Sequence, residues 1–399
     1  MTDVAIINYG AQHDYPAMLH ELAGGLHVYS HNPLAHTAGL GSYEHVQDCE
    51  FVPYAELRIR QLARTRRFAH VITDNEYDLE RAARIREDLG IPGQSVRSAR
   101  QFRDKVVMKQ TAGRTVATPR YARLKTIVDL TRFIEENDYP VVVKPVSQGG
   151  SRDVVVLRDE DGLMEFSRRH WREDLMVEDF VEGEIYHVDA ILAPGYRFVA
   201  SSRYLRDCLG VLSGHNNGSL QLDPAGKPAQ RLEEFLDRVL EAFDTPEVGA
   251  YHLEVFRTPE DEFVLCEIAS RVGGSRIPAL TRLTYGIDLH ATWLRLSCGL
   301  PVDPAPTAPP AELRGSIGIV PQGRPVRAPR TLPFDWVEHY QVNEQLAPGA
   351  VAQNSTSHLC FALVRGADTA EVEQRLLQVE EWILDNLTEA DEPARTPAP

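Results

Sequence analysis

Apolar runs and polar punctuation divide the start of the chain into alternating strand-like and helix-like stretches. VAIINYG (4–10), LHVYS (26–30) and FAHVITD (68–74) are short, apolar and rich in β-branched or aromatic residues, as buried strands are. DLERAARIREDLG (78–90) repeats its apolar positions at helical intervals and ends on Gly90, before the stop signal Ile91-Pro92-Gly93. The pattern predicts an open, mostly parallel α/β unit over 1–100. Gly10 falls at the carboxyl end of the first strand, where such sheets bind ligands, but no GxGxxG follows and a dinucleotide site is not supported.

A helix is expected over about 100–112, leading to VATPRYARL, and EENDYPVVVKPV then opens a region dominated by antiparallel-looking strands to about residue 298. PVDPAPTAPP (301–310) reads as a proline-rich linker. Beyond it GSIGIVPQG, FALVRG and the amphipathic AEVEQRLLQVEEWILDNL predict a small α+β lobe over 301–388, followed by a disordered tail, 389–399. No internal repeat is visible.

Within the middle region, YHLEVF (251–256) and FVLCEI (263–268) read as two strands of a hairpin closed by RTPEDE. A loop symmetric about residues 260 and 261 places Glu254 opposite Glu267 on one face of the ladder. Two adjacent carboxylates in an apolar sheet repel unless a cation separates them. Mg²⁺ fits, because it takes few protein carboxylates and fills its other positions with water and phosphate oxygens. A hairpin face with both glutamates solvated accommodates the same two residues.

Composition narrows the class. The chain has 399 residues, enough for two or three domains, with 43% hydrophobic and 25% charged residues, as in ordinary globular proteins. No apolar run is of membrane-spanning length and MTDVAIINYG reads as a buried strand rather than a secretory signal, so a cytoplasmic location and no membrane partner are expected. Cys49, Cys208, Cys266, Cys298 and Cys360 are odd in number and widely spaced, as reduced structural thiols are. The net charge of −16, with no dense basic stretch, argues against nucleic acid as a partner.

Two further segments carry candidate chemistry. Lys144 ends the strand YPVVVKP and is followed by Ser147, Gln148, Gly149, Gly150 and Ser151; the glycines allow successive N–H groups to face an anion, and the lysine adds a point charge for phosphate. The GK[ST] ending of a Walker A loop is absent, and an ordinary β-turn fits SQGGS as well. In VEDFVEGEIYHVD, Glu178 and Glu184 flank Phe180-Val181, whose backbone is placed to hydrogen-bond a purine edge; two surface glutamates beside a turn are the plain alternative.

In combination, Lys105 in RDKVVMK, Lys144 in VVVKP, SQGGS, VEDFVEGE, HLEV and CEIASRVGG resemble the ATP-grasp superfamily over roughly residues 100–300. GEIYHVD, YHLEV and EIASRVGG are most similar to its carboxylate–amine ligases, the group with L-amino acid ligases and dipeptide synthetases. The resemblance implies a multidomain α/β and α+β ATP-grasp fold: an N-terminal α/β domain (1–100), a nucleotide-binding region (101–300) with a lid at about 116–182, and a C-terminal lobe. It implies ATP and one or two Mg²⁺ ions, with Mn²⁺ an admissible substitute. By the same resemblance Lys105 and Lys144 contact phosphates, SQGGS closes as a lid, Glu178 and the Val181 backbone meet adenine, and Glu184 the ribose. Glu254 and Glu267 hold the metal, and Arg271 stabilises the transferred phosphoryl group and the later oxyanion.

The sequence departs from the family at Ala269, where an Asn usually completes a metal site, and Gln148 is bulkier than is typical of its loop. Arg203, His215, Asn217 and Arg276 are substrate-site candidates, Arg203 for γ-phosphate or a substrate carboxylate and Arg276 as a second carboxylate clamp. His187 and His252 read as core or supporting residues. The expected activity joins a small carboxylic acid, such as an amino acid, to an amine through an acyl phosphate, releasing ADP and phosphate; a homodimer is compatible with it. Rival readings are a carrier-protein thiol or bicarbonate/biotin as acceptor, and a catalytically silent nucleotide-binding scaffold, which Ala269 favours.

Overall fold

The computed structural model describes residues 2–10, 12–49, 51–169, 171, 174–206, 210, 214–321, 323–346, 349–352 and 357–390. Its first layer is a four-stranded parallel sheet in the order Ser42–His45, Leu26–Ser30, Asp3–Asn8, Phe68–Thr73. Three of these strands coincide with the apolar runs. Ser42–His45 has no such run because it is an edge strand with no fully buried position. The helix Leu79–Leu89 ends as expected, with Gly90 at φ 64° donating its N–H to the last carbonyls.

The helix expected over about 100–112 is in fact two, Val96–Gln101 and Lys105–Ala112. Asp104 separates them. Its carboxylate accepts hydrogen bonds from the N–H groups of Val106 and Val107, each at 3.1 Å, and so starts the second helix with Lys105 in its first turn.

A second, antiparallel sheet has the order Tyr121–Leu124, Leu175–Asp179, Val141–Pro145, Val155–Leu157. Helices Ile127–Asn137 and Glu160–Ser167 cover one face of it through Leu130, Phe133, Leu163 and Phe166. The opposite face is turned to the largest sheet, whose eight strands run in the order Phe263–Ala269, Gly249–Arg257, Glu184–Ala193, Tyr196–Tyr204, Asn217–Gln221, Leu313–Ile319, Cys360–Gly366, Val337–Val342. All neighbours in it are antiparallel.

Beyond Glu160–Ser167, the stretch expected to be dominated by strands to about residue 298 holds three further helices among the described residues, Lys227–Ala242, Ile277–Tyr285 and Leu289–Ser297. The first buries Leu232, Phe235, Leu236 and Val239 on the large sheet. Leu289–Ser297 joins the layers, since Trp293 and Leu294 share one core with Val4 and Ile6 of the parallel sheet and Ile191 and Phe198 of the large one.

Residues 301–310 have no regular structure. The lobe after them continues the large sheet: Leu313–Ile319 pairs with Asn217–Gln221, and helix Thr369–Asp385 packs Val372, Leu376, Val379 and Ile383 against these added strands. At the chain end Thr388–Glu389 pairs with Val326–Arg327 and Ala390 is buried; 391–399 lie outside the described residues. Cys266, Cys298 and Cys360 are free thiols, Cys49 is buried, and Cys208 is also outside the described residues. Among the described residues no helix is long and apolar enough to cross a membrane.

Candidate active site

The second sheet and the large sheet enclose a cavity of about 840 Å³. One wall is the hairpin. Glu254 pairs with Glu267, and both line the cavity. The route to this pairing differs from the expected one. Near the turn Arg257 pairs with Phe263 and Val255 with Leu265, a register that would set Glu254 against Cys266. A β-bulge at Cys266 adds one residue to the second strand and brings Glu267 opposite Glu254.

The two carboxylates have different neighbours. Glu267 Oε2 lies 3.0 Å from Lys105 Nζ. Burial pushes its carboxyl up, but Lys105, Lys144 and Arg271 outweigh this and hold it at about 2. Glu254 Oε1 accepts a 2.8 Å hydrogen bond from the Tyr204 hydroxyl and lies 3.5 Å from His252 Nε2. Behind it runs a buried relay: His252 Nδ1 is 2.9 Å from Asp189 Oδ1, Asp189 Oδ2 is 2.7 Å from His187 Nδ1, and His187 Nε2 is 2.7 Å from Ser219 Oγ. His187, Asp189 and His252 are close enough together to hold an ion, but these hydrogen bonds already account for their arrangement. The placement of both histidines agrees with a supporting role.

Glu178, 3% exposed, sits between two lysines. Lys144 Nζ donates to its Oε1 at 2.5 Å, and Lys109 Nζ lies 3.0 Å from its Oε2. Against the upward push of burial, the lysines hold Glu178 below the usual carboxylate range. Lys109 is fully buried, and burial lowers its own proton affinity despite Glu178. Sequence reasoning missed Lys109, although it stands one helical turn beyond Lys105 in RDKVVMK, a spacing that places both on one face.

The SQGGS loop is tied down from beneath. Lys105 Nζ donates to the Gln148 carbonyl at 2.7 Å, and an Arg103 N–H donates to the Ser147 carbonyl. Gln148, Gly149, Gly150 and Ser151 line the cavity and Ser147 does not. A Cβ at Gly149 would lie 2.1 Å from Glu76 Oε1, so a larger residue here would have to displace the Glu76 carboxylate that packs against the loop. Glu76, also missed, lies 3.4 Å from Arg271 Nε and 3.6 Å from Arg103. Burial works against the charge of both members of the Glu76–Arg271 pair, yet each holds the other ionised.

Val181 lines the cavity beside Phe180 and Glu182, as do His215, Asn217, Arg271 and Arg276. Glu184 and Arg203 do not. Arg203 pairs with Tyr186 in the ladder, so by strand alternation it shares with Tyr186 and Glu184 the face opposite Tyr204 and the cavity. There Arg203 makes ion pairs with Glu184 at 2.8 Å and Glu373 at 2.6 Å.

A cavity between a lid-like antiparallel sheet and a larger sheet bearing paired acids, lined by two lysines and a glycine loop, marks a nucleotide-binding fold of one kind. Residues 109–277 match the family described as the ATP-grasp domain, so this part of the chain carries an ATP-grasp domain. It is 27% identical over 266 residues to an L-arginine-specific L-amino acid ligase of Bacillus subtilis, covering 63% of this chain and 62% of that protein. The chain spans less than two thirds of the length of the curated relatives it matches. The crystal structure of an L-amino acid ligase from Bacillus licheniformis superposes with a TM-score of 0.73 at 16% identity, covering 98% of this chain and 99% of that one. A carboxyaminoimidazole ribonucleotide synthase from Aspergillus clavatus in complex with ATP gives 0.69 at 18% identity, covering 95% and 98%.

Proposed function

We propose that this protein is an ATP- and Mg²⁺-dependent ligase that joins a small carboxylic acid, in the first instance an amino acid, to an amine. The observation that carries the reading is the convergence of Glu254, Glu267, Lys105, Lys144 and Arg271 on one cavity. Glu254 and Glu267 fit a hard divalent cation: both offer carboxylate oxygens, they are paired in register, and neighbouring cations keep Glu267 ionised. Bound there, Mg²⁺ supplies positive charge to phosphate oxygens.

The chain's own groups account for the rest. Lys105 and Lys144 bring fixed charge to the phosphates, and Glu178 with the Val181 backbone serves the adenine. The substrate carboxylate attacks the γ-phosphorus, the bond to the β-phosphate oxygen breaks, and ADP leaves with the electron pair. Arg271 meets the charge on the resulting acyl phosphate. An amine then attacks the acyl carbon, loses a proton, and phosphate departs with the C–O electron pair. The Gln148–Ser151 edge of the cavity keeps water from the acyl phosphate. Glu184 and Arg203, which pair with each other outside the cavity, have no part in this reading.

The test is to incubate the protein with Mg-ATP and amino acids, singly and in pairs, and to identify both nucleotide and condensed product by mass. ADP, phosphate and an amide are expected. AMP and pyrophosphate as the main products would overturn the acyl-phosphate route, and no turnover with any pair would overturn the ligase reading.

A further inference from the structure

The end of the cavity farthest from the adenine loop is built by Asn217–Gln221, Leu313–Ile319, the residues around Cys360 and the start of helix Ile277–Tyr285. Its charge is one-sided. The acids that line the cavity are Glu178, Asp179 and Glu182 on the adenine side and Glu254 and Glu267 on the hairpin. The far end contributes Arg276, His358, Asn217, Ser316 and Phe361 and, among the described residues, no carboxylate.

Arg276 is the group this environment leaves incomplete. Its guanidinium lies over the Phe361 ring, with Cζ 3.3 Å from the centroid, which fixes its plane. Among the described residues it has neither an ion pair nor a side-chain hydrogen bond, in contrast to Arg203, Arg257, Arg271 and Arg295. His358 beside it adds no positive charge: burial and then Arg276 itself press its imidazole down to about 4. His358 Nε2 is 2.7 Å from Asn217 Oδ1. A half-buried guanidinium carries a desolvation cost that an anion offsets, and its forked edge matches a carboxylate.

We propose that Arg276 binds a carboxylate that the reaction does not consume, so that one of the two substrates brings a second acidic group which is retained in the product. This rests on the ligase reading for its chemistry, but the binding it asserts does not require turnover. Two sources supply the same group: an acceptor that is itself an amino acid, with its α-carboxylate on Arg276, or a donor with two carboxyl groups, one activated near Arg271 and one held at Arg276. In either case cationic side chains are excluded from this end by Arg276, and the substrate preference is for neutral or acidic partners.

The experiment is a calorimetric titration of the full chain in MgADP, wild type and Arg276→Ala, with amino acids, their α-carboxamides, and acidic amino acids beside their side-chain amides. Wild-type protein should bind the carboxylate members about 10- to 100-fold more tightly than the amides, the size of a lost charge-assisted hydrogen bond, and the variant should show no such preference. Preference for the α-carboxylate identifies the acceptor source, and preference for the side-chain carboxylate the donor source. Arg276→Lys, which keeps the charge and loses the fork, should retain part of the preference. An unchanged thermal midpoint and MgADP affinity exclude misfolding. Equal binding of acid and amide by wild type, or a preference that survives in Arg276→Ala, overturns the proposal. Carboxylate-selective binding without ADP release from ATP would instead overturn the ligase reading and leave this one standing.

Discussion

Glu76, in the loop that follows the last strand of the parallel sheet, places its Oε2 3.4 Å from Nε of Arg271 at the end of the hairpin, so the N-terminal α/β unit makes direct contact with a residue of the cavity wall. Glu76 occupies one edge of the guanidinium and thereby sets the direction of the other. Glu76→Gln is expected to lower kcat about 10-fold with little change in KM for ATP, while Arg271→Ala lowers it ~100-fold or more. If orientation is the link, the double variant is no slower than Arg271→Ala alone. Steady-state ADP release on the three variants decides it, and additive losses would separate the two residues.

The paired acids predict a metal requirement. Glu267→Gln should reduce ADP release by at least ~100-fold with the thermal midpoint retained, and Glu254→Gln less severely, because Tyr204 and His252 support that carboxylate from behind. A chelator should stop turnover in wild type and added Mg²⁺ restore it. Near wild-type rates in both variants would remove the metal assignment.

Lys109 is expected to matter for stability and nucleotide affinity together. Lys109→Met keeps the volume of a fully buried side chain but leaves Glu178 with one cation in place of two. A loss of about 3 kcal/mol in urea unfolding is expected, with weaker ATP binding by titration. Full stability would show that Lys144 alone suffices.

A pH effect is expected from Asp74, whose Oδ2 accepts a 2.6 Å hydrogen bond from the Tyr15 hydroxyl. Burial, against that hydrogen bond, raises its carboxyl from 3.8 to about 6. The native state therefore holds the proton more tightly than the unfolded chain. Its contribution to stability is complete below the unfolded value and is lost as pH rises through about 6. Asp74→Asn should remove this dependence and raise stability at pH 7 to 8 by ~2–3 kcal/mol, the equivalent of that rise. Denaturant titrations from pH 4 to 8 check it; parallel curves for wild type and variant would contradict the assignment.

What was readable in the sequence follows from the range of the interactions involved. Glu254 and Glu267 were legible because a short hairpin converts spacing into facing positions, even though the bulge at Cys266 that completes the pairing leaves no mark in the sequence. Lys144, Glu178 and the glycine loop were legible because each lies at a strand end beside a turn. Glu76 was not, since its partner is brought near only by the packing of one domain on another. Arg203 and Glu184 were read as facing the site because strand periodicity gives two faces without saying which is which until the register with a neighbour is known. Helix Lys227–Ala242 lies between strands of the large sheet, where the apolar period changes from two to 3.6 and back within a few residues.

The continuity of the large sheet across the proline-rich stretch bears on how the chain can be divided. A fragment ending near residue 300 would contain the whole matched ATP-grasp segment, yet it would bare the backbone of Asn217–Gln221, which Leu313–Ile319 pairs in the intact chain. Exposed edges of this kind recruit other strands, so such a fragment should aggregate rather than behave as a separate nucleotide-binding module. It would also lack His358 and Phe361, and with them the wall behind Arg276. The C-terminal lobe is thus inseparable from the nucleotide domain in folding, and any circular permutation or fusion has to keep the two strands together.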